Sequence, residues 1–249
     1  MTDPLFASSL VGRTALITGG SRGIGRVLAE SLARVGVRVV FTGRDPRALD
    51  ETLAALRAAG TSGAGLPLEL SELDDPAPVA QALREHTDRL DILVLNAAIG
   101  GVRTPIVEQP LATWREVFQV NVHACLALLM ATDPLLRRSD AGRVVFISTG
   151  VARRRKATTG AYAASKAAFE MMAGLYCLDV EGSPIRGNIV NPGPTRTEMR
   201  AAAFPAEDPM TVKPPEALMP LLHRLCAPEC DLHGQTLDAD DWIASQSSR

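Results

Sequence analysis

Two side chains four residues apart, Tyr162 and Lys166, carry the most informative chemistry in the chain. They stand in the stretch Gly160-Ala161-Tyr162-Ala163-Ala164-Ser165-Lys166. If Ala163 to Ala173 continue as a helix, the two lie on one face, a turn above one another. An ammonium held near a phenol favours the phenolate and lowers a pKa that is ordinarily about 10. Each unit of such a shift is worth ~1.4 kcal/mol, so a shift of a few units makes Tyr162 usable as a proton donor or acceptor near neutral pH. Such pairs also occur on ordinary surface helices. The rest of the chain decides the meaning.

Near the start, Thr14-Ala15-Leu16-Ile17-Thr18 reads as a short buried strand and runs into Gly19-Gly20-Ser21-Arg22-Gly23-Ile24-Gly25. An amphipathic helix follows, with Val27, Leu28, Ser31 and Leu32 at spacings of three and four. Strand, glycine turn and helix place unpaired N–H groups and a helix N-terminus where a pyrophosphate can bind. Gly19 allows the tight turn, Gly23 lets the backbone approach the phosphates, and Gly25 permits close helix–strand packing. Ser21, Arg22 and Ile24 fill the loop between them.

The elements that would position these groups alternate along the whole chain. Strands are predicted at Thr14–Thr18, Arg38–Thr42, Leu66–Glu69, Ile92–Leu95, Val144–Ser148, Ile185–Val190 and Gln235–Leu237. Helices are predicted near Ile24–Val35, Pro46–Ala59, Pro76–His86, Ala112–Ala131, Ala161–Val180 and Pro215–Leu225. Asp45-Pro46 is a helix start, an N-cap acid followed by proline. This alternation implies an α/β fold with a doubly wound, Rossmann-type parallel sheet, helices on both faces, and the ligand at the carboxyl ends of the strands.

At 249 residues and 46% apolar composition, the chain can bury a full core as one domain over residues 1–249. A net charge of −2 gives no general basic field for nucleic acid. Met1 to Arg13 has no cationic start and no long apolar core, so no secretory signal is expected. No apolar run is long enough to span a membrane, and a cytoplasmic location is the default expectation. Four cysteines do not make a disulfide framework in a chain this large. His223, Cys226, Cys230 and His233 have zinc-like composition, but a helix–turn–strand junction aims them apart, and no metal site is assigned.

Taken together, the chain resembles the classical short-chain dehydrogenase/reductase family. The matches run in order over nearly the whole length: Thr18 to Gly25, Asn96-Ala97-Ala98, Asn121, the Thr149 region, Tyr162 with Lys166, and Asn191-Pro192-Gly193-Pro194-Thr195-Arg196-Thr197. The resemblance implies a nicotinamide-dependent oxidoreductase. Tyr162 would give a proton to a carbonyl oxygen, and Lys166 would hold the nicotinamide ribose and depress the tyrosine pKa. A hydroxyl thirteen residues before the tyrosine normally holds the substrate oxygen; the count lands on Thr149, with Ser148 in reserve. Asn121 would hold a water linking Lys166 to solvent. Pro192, Gly193, Thr195 and Thr197 match the loop that holds the carboxamide and phosphates. Glu69, followed by Leu70, falls where the family has an adenine-contacting Asp. Leu95 and Ala98 depart from the family's Asn-Asn-Ala-Gly turn; Asn96 is read as structural, with Ala97 beside it at the cofactor.

The cofactor reading turns on the end of the second strand, Phe41-Thr42-Gly43-Arg44, which has no acid for the adenosine ribose. Arg44 and Arg22 suit a 2′-phosphate, which guanidinium groups grip through paired hydrogen bonds. NADP(H) is therefore favoured, with NAD(H) left open through Asp45. Residues 198–214, carrying three prolines, resemble the family's mobile substrate lid. Ile99, Val102, Val151, Met199, Phe204 and Met210 suggest an apolar pocket for a small carbonyl or alcohol. The run Arg153-Arg154-Arg155-Lys156 is either a solvated face or a dock for an acyl carrier protein or coenzyme A. A 3-oxoacyl-thioester reductase and a non-catalytic nucleotide sensor are the rival readings. By resemblance, pairing through the helices near Ala112–Ala131 and Ala161–Val180 implies a homodimer or homotetramer.

Overall fold

Alternate residues of the central strands enter two separate cores. Leu16, Val40, Leu93, Leu95, Val144 and Phe146 point to one side; Ala15, Ile17, Val39, Phe41, Ile92, Val94 and Val145 point to the other. This follows from the period of two in a pleated strand that is covered on both faces. In the computed structural model, which describes residues 8–247, seven parallel strands form one sheet of order β3-β2-β1-β4-β5-β6-β7. They are β1 (Thr14–Ile17), β2 (Arg38–Gly43), β3 (Ala64–Pro67), β4 (Ile92–Leu95), β5 (Arg143–Ile147), β6 (Arg186–Asn191) and β7 (Thr236–Asp238). Most of the N-terminal stretch read for a signal lies outside the described residues.

Three helices, α1 (Gly23–Arg34), α2 (Pro46–Ala58) and α8 (Met219–Cys226), cover one face through Leu28, Leu32, Leu49, Leu56 and Leu222. On the other, α3 (Ala77–Arg84), α5 (Ala124–Leu136) and α6 (Gly160–Asp179) contribute Leu83, Leu128, Leu135 and Phe169. Each such side chain, fully buried, stabilises the fold by roughly 1.5–3 kcal/mol. The remaining helices are α4 (Leu111–Phe118), α7 (Glu198–Ala203) and α9 (Ala239–Ser247). No described helix is long and apolar enough to cross a membrane.

Several elements depart from the sequence expectation. Strand β3 lies two residues earlier than predicted, because Glu69 leaves the sheet to cap the 3-10 turn Leu70–Glu72. The helix expected over Ala112–Ala131 is interrupted by a π turn at Gln119–His123. Helices α7 and α9 have no counterpart in the sequence reading.

At the amino ends of the strands, charge is tied down. Asp91, 1% exposed, accepts from Thr14 N (2.9 Å) and Ser139 Oγ (2.7 Å), and it pairs with Arg13 and Arg89, each at 3.1 Å. Buried Arg143 donates to the carbonyls of Ala227 (3.0 Å), Gly142 (2.8 Å), Pro184 (3.3 Å) and Pro228.

Candidate active site

The glycine loop lies at the carboxyl end of β1, between β2 and β4. Gly19 sits at φ +63, a left-handed conformation that favours glycine. A Cβ on Gly25 would collide with Gly19 O and with Asn96 Nδ2, so helix α1 can approach β1 only through glycine. Asn96 Nδ2 donates to Thr18 O (2.9 Å) and Gly19 O (3.3 Å), while Asn96 N and Ala97 N donate to Thr18 Oγ1. Asn96 is thus a clamp on the loop.

Helix α1 begins with no side-chain cap. By contrast, α2 is capped by Asp45, which accepts from Arg47 N at 2.9 Å, and α7 by Thr197. An uncapped N-terminus behind a glycine loop leaves N–H groups and the positive end of the helix dipole for an anion. The residues fit a dinucleotide pyrophosphate there. Ser21 is buried against Gly43, and Ile24 packs on the core beneath α1.

At the adenosine end, Arg44 lies beside Glu69 (3.6 Å) and Arg22 beside Glu198 (3.3 Å), all four side chains at least one-third exposed. Glu69 Oε1 also accepts from Ser71 N and Ser71 Oγ. Burial pushes the Glu69 carboxyl up, but those bonds and Arg44 outweigh it and leave it below the usual range. The Glu69 carboxylate is therefore engaged with Ser71 and Arg44 here rather than free for adenine. Leu70 is in the core, 6% exposed, so only its main chain can face a ligand.

The loop after β6 is stiffened from behind. Gly193, at φ +66, lies against Asp240 and Lys213, and Gly193 N donates to Asn191 Oδ1 (3.1 Å). Thr195 is buried and bonds back to Pro192 O and Gly193 O; Thr197 Oγ1 accepts from Arg200 N as the cap of α7.

The catalytic candidates come together at the ends of β5 and α6. Thr149 lies on the Tyr162 side and acts to lower the phenol's pKa. Ser148 Oγ points elsewhere, donating to Glu170 Oε1 at 2.6 Å. Lys166, 2% exposed, donates to Ile147 O at 2.8 Å and lies 4.4 Å from the centre of the Phe169 ring. Burial pushes the lysine down to about 8, with Cys125 and Glu170 acting the other way.

One expectation needs correction. Lys166 does not depress the phenol in this structure: burial raises the Tyr162 pKa, and only Thr149 opposes it. The Asn121 side chain, 0% exposed, is held at both polar atoms. Its Oδ1 accepts from Ile99 N (2.9 Å), and its Nδ2 donates to Ile99 O and Ser165 Oγ, each at 3.0 Å. This bonding, at the centre of the π turn, ties the loop after β4 to α6.

Glu170 was missed by the sequence reading. It stands four residues after Lys166 on the Tyr162–Lys166 face, and its carboxylate joins Ser148 to Arg153 (3.2 Å). The i, i+4, i+8 spacing was a usable signal. The zinc-like set is dispersed. His223 bonds Ser31 Oγ (2.8 Å), whereas His233 accepts from Gly187 N (3.1 Å) and faces Cys177 O (2.9 Å). No cluster of metal-ligating side chains occurs among the described residues.

The short chain dehydrogenase family model matches residues 13–208. The chain belongs to that family. It is 41% identical over 212 residues to the uncharacterised oxidoreductase YciK of Escherichia coli K12, covering 84% of each chain. It is 35% identical over 219 residues to a rhamnolipid-biosynthesis 3-oxoacyl-[acyl-carrier-protein] reductase of Pseudomonas aeruginosa, covering 86% of this chain and 84% of the other. Among solved structures, a short chain dehydrogenase of Escherichia coli CFT073 complexed with NADPH superposes with a TM-score of 0.90 at 39% identity, over 94% of this chain and 98% of the other. One from Shigella flexneri complexed with NADP gives 0.89 at 38% identity, over 94% and 99%. The chain is an oxidoreductase of the short-chain family, with its Rossmann-type sheet.

Proposed function

We propose that this enzyme interconverts a carbonyl and an alcohol with NADP(H), using Tyr162 as the proton donor. The observation that carries the reading is Lys166, buried and pinned to Ile147 O one turn after Tyr162 on α6, across from an uncapped glycine-loop helix. Bound NADPH would supply hydride to the carbonyl carbon, or NADP+ accept it in reverse. Thr149 and Tyr162 hold the carbonyl oxygen. A phenol above its ordinary pKa is protonated at neutral pH and therefore starts as an acid. Lys166, near 8, can exchange a proton close to working pH and replenish the tyrosine. Asn121 is a positioning residue that fixes Ile99 against α6.

NADP(H) is favoured over NAD(H) because Asp45 is engaged as a helix cap, whereas Arg44 and Arg22 have only exposed glutamate partners that a 2′-phosphate can displace. The NADPH- and NADP-bound relatives support the same choice. Residues 198–214 serve as the lid within a single domain. A homodimer or homotetramer forms through α5 and α6, whose outer faces expose Leu126, Met130, Met171, Leu175 and Leu178. Four unpaired cysteines favour a reducing, cytoplasmic compartment.

A screen of ketones, aldehydes and 3-oxoacyl thioesters with NADPH tests the activity. Thr149→Val is expected to remove most of the turnover found, and Thr149→Ser to keep most of it. A severe Ser148→Ala with a silent Thr149→Val would move the oxygen contact one residue back. The second reading, 3-oxoacyl-thioester reduction on a carrier, is favoured by the basic run at 153–156 and the Pseudomonas relative. NADPH binding without turnover of any carbonyl would leave the sensor reading.

A further inference from the structure

Three cations from three different segments of the chain converge on one aromatic ring. Phe204, at the end of α7 in the lid segment, has Arg200 Cζ at 3.8 Å, Arg103 Cζ at 4.6 Å and Lys156 Nζ at 4.9 Å from its ring centre. Arg103 comes from the loop after β4, Lys156 from the loop after β5, and Arg200 from α7 in the segment after β6. All three segments leave the carboxyl ends of neighbouring strands, where a doubly wound fold places its ligand.

Only one of the three charges is neutralised. Glu207 gives both oxygens to Arg200, at 2.7 and 2.5 Å, and its carboxyl is held low by that bond first and by Lys156 at longer range. Among the described residues, Arg103 and Lys156 have no carboxylate within ion-pair reach. The 149–159 loop adds four positive charges and no acid, of which Arg153 is matched by Glu170. An aromatic ring attracts cations but does not cancel their charge.

The local backbone is bent to keep Arg103 there. Arg103 Nη2 donates to Thr158 Oγ1 (3.3 Å), and Thr158 sits at φ +64, a left-handed conformation in a β-branched residue. Thr159 Oγ1 donates to Lys156 O (2.7 Å), closing the same turn just before Gly160 opens α6 and brings Tyr162 into place. Left-handed non-glycine residues cost of order 1–2 kcal/mol and concentrate at ligand clamps.

We propose that the substrate carries an anionic group away from its carbonyl, and that Arg103 and Lys156 hold this group beneath Phe204. The inference rests on the carbonyl–alcohol reading and names the substrate class for it: an oxo-acid or an oxoacyl compound bearing phosphate. The anion takes the neutralising position that Glu207 takes for Arg200, and so links lid closure to the correct substrate.

Two matched pairs of probes test it. One is 4-carboxybenzaldehyde with methyl 4-formylbenzoate; the other is acetoacetyl-coenzyme A with its neutral N-acetylcysteamine thioester. The wild type is expected to prefer the anionic member of at least one pair by tenfold or more in kcat/KM. The combined Arg103→Ala, Lys156→Ala variant should bring that ratio near one, and 0.5 M salt should narrow it in the wild type. Preference in the first pair alone assigns the site to a carboxylate; preference in the second alone assigns it to the coenzyme phosphates. A wild-type ratio near one in both pairs, or a ratio unchanged in the variant, overturns the inference. To separate this from failure of the redox reading, 4-carboxybenzaldehyde and acetoacetyl-coenzyme A are each titrated into the NADPH-loaded Tyr162→Phe protein with and without the two substitutions. Binding of either anion weakened at least tenfold by the substitutions, with NADPH affinity unmoved, supports the anion site whether or not turnover is found. Equal binding for both anions overturns it.

Discussion

The two ends of the sheet handle charge in opposite ways. At the amino ends, two buried charges have close partners on every side: Asp91 is bonded by Thr14, Ser139, Arg13 and Arg89, and Arg143 is enclosed by four carbonyls. At the carboxyl ends, Lys166 is buried with one carbonyl, and Arg103 and Lys156 face a ring with no carboxylate of their own. Buried charge is tolerated when its bonds are complete and is costly when they are not. One end is therefore built for stability. The other keeps unmet electrostatic demand, which ligands can satisfy.

Four substitutions probe this contrast. The largest stability effect is expected at the amino end. Asp91→Ala should destabilise by about 3 kcal/mol, the low end for a broken buried network, because Arg13 and Arg89 can still reach water. The melting temperature should fall by roughly 6–12 °C, while kcat per folded molecule stays within twofold. A loss of kcat without a loss of stability would erase the division between the ends.

At the carboxyl end the expected pattern is reversed. Tyr162→Phe should lower turnover by at least ~100-fold, the low end for losing a positioned acid, with NADPH affinity and melting temperature little changed. Near-normal turnover would remove the phenol from the mechanism.

Lys166→Met sharpens the comparison further, since it removes a charge whose burial works against folding. With a folded pKa of about 8 against an ordinary 10.5, both states are protonated below pH 8 and the folded state bears the full penalty. Between about 8 and 10.5 the unfolded chain binds the extra proton, so wild-type stability rises with pH. The variant should thus be more stable than wild type at pH 7 by about 1–2 kcal/mol, after allowance for the unpaired Ile147 carbonyl. That margin should shrink towards pH 10.5, and turnover should be lost at every pH. Thermal melts at pH 7 and 10 check the sign; a margin that grows with pH would refute it.

The smallest effect is at the adenosine edge. Arg44→Ala should weaken NADPH about tenfold, the low end for a charge-assisted hydrogen bond of ~1.5–3 kcal/mol, and NADH much less. Equal losses for both cofactors would return the ribose to Asp45.

The pattern of apolar strands, the glycine loop and the Tyr162–Lys166 spacing were legible in the sequence because each depends on neighbours within a few residues. Strand β3 was displaced because its end is decided by Glu69 turning to cap Ser71, which competes with continuing the strand. The π turn depends on Asn121 meeting the backbone of Ile99, twenty-two residues away, and no periodicity signals that. The partner of Lys166 is a main-chain carbonyl, which every residue carries, so the lysine's pinned position could not be read from side-chain types. Ser148 and Thr149 are adjacent and alike in chemistry; only Glu170 and Tyr162, arriving from α6, tell them apart.

Strand order also bears on how the chain is made. An interior strand of the sheet, β1, emerges before the other six, and its second neighbour, β4, ends at Leu95. At translation rates of about 5–20 residues per second, one edge of an apolar strand stays open for several seconds during synthesis. Every pairing in the sheet is parallel, so no hairpin can form early to shield it. Such non-local pairing folds slowly and leaves nascent edges exposed. Recovery of active protein should therefore respond to chaperone supply and growth temperature more than to any single side chain of the site.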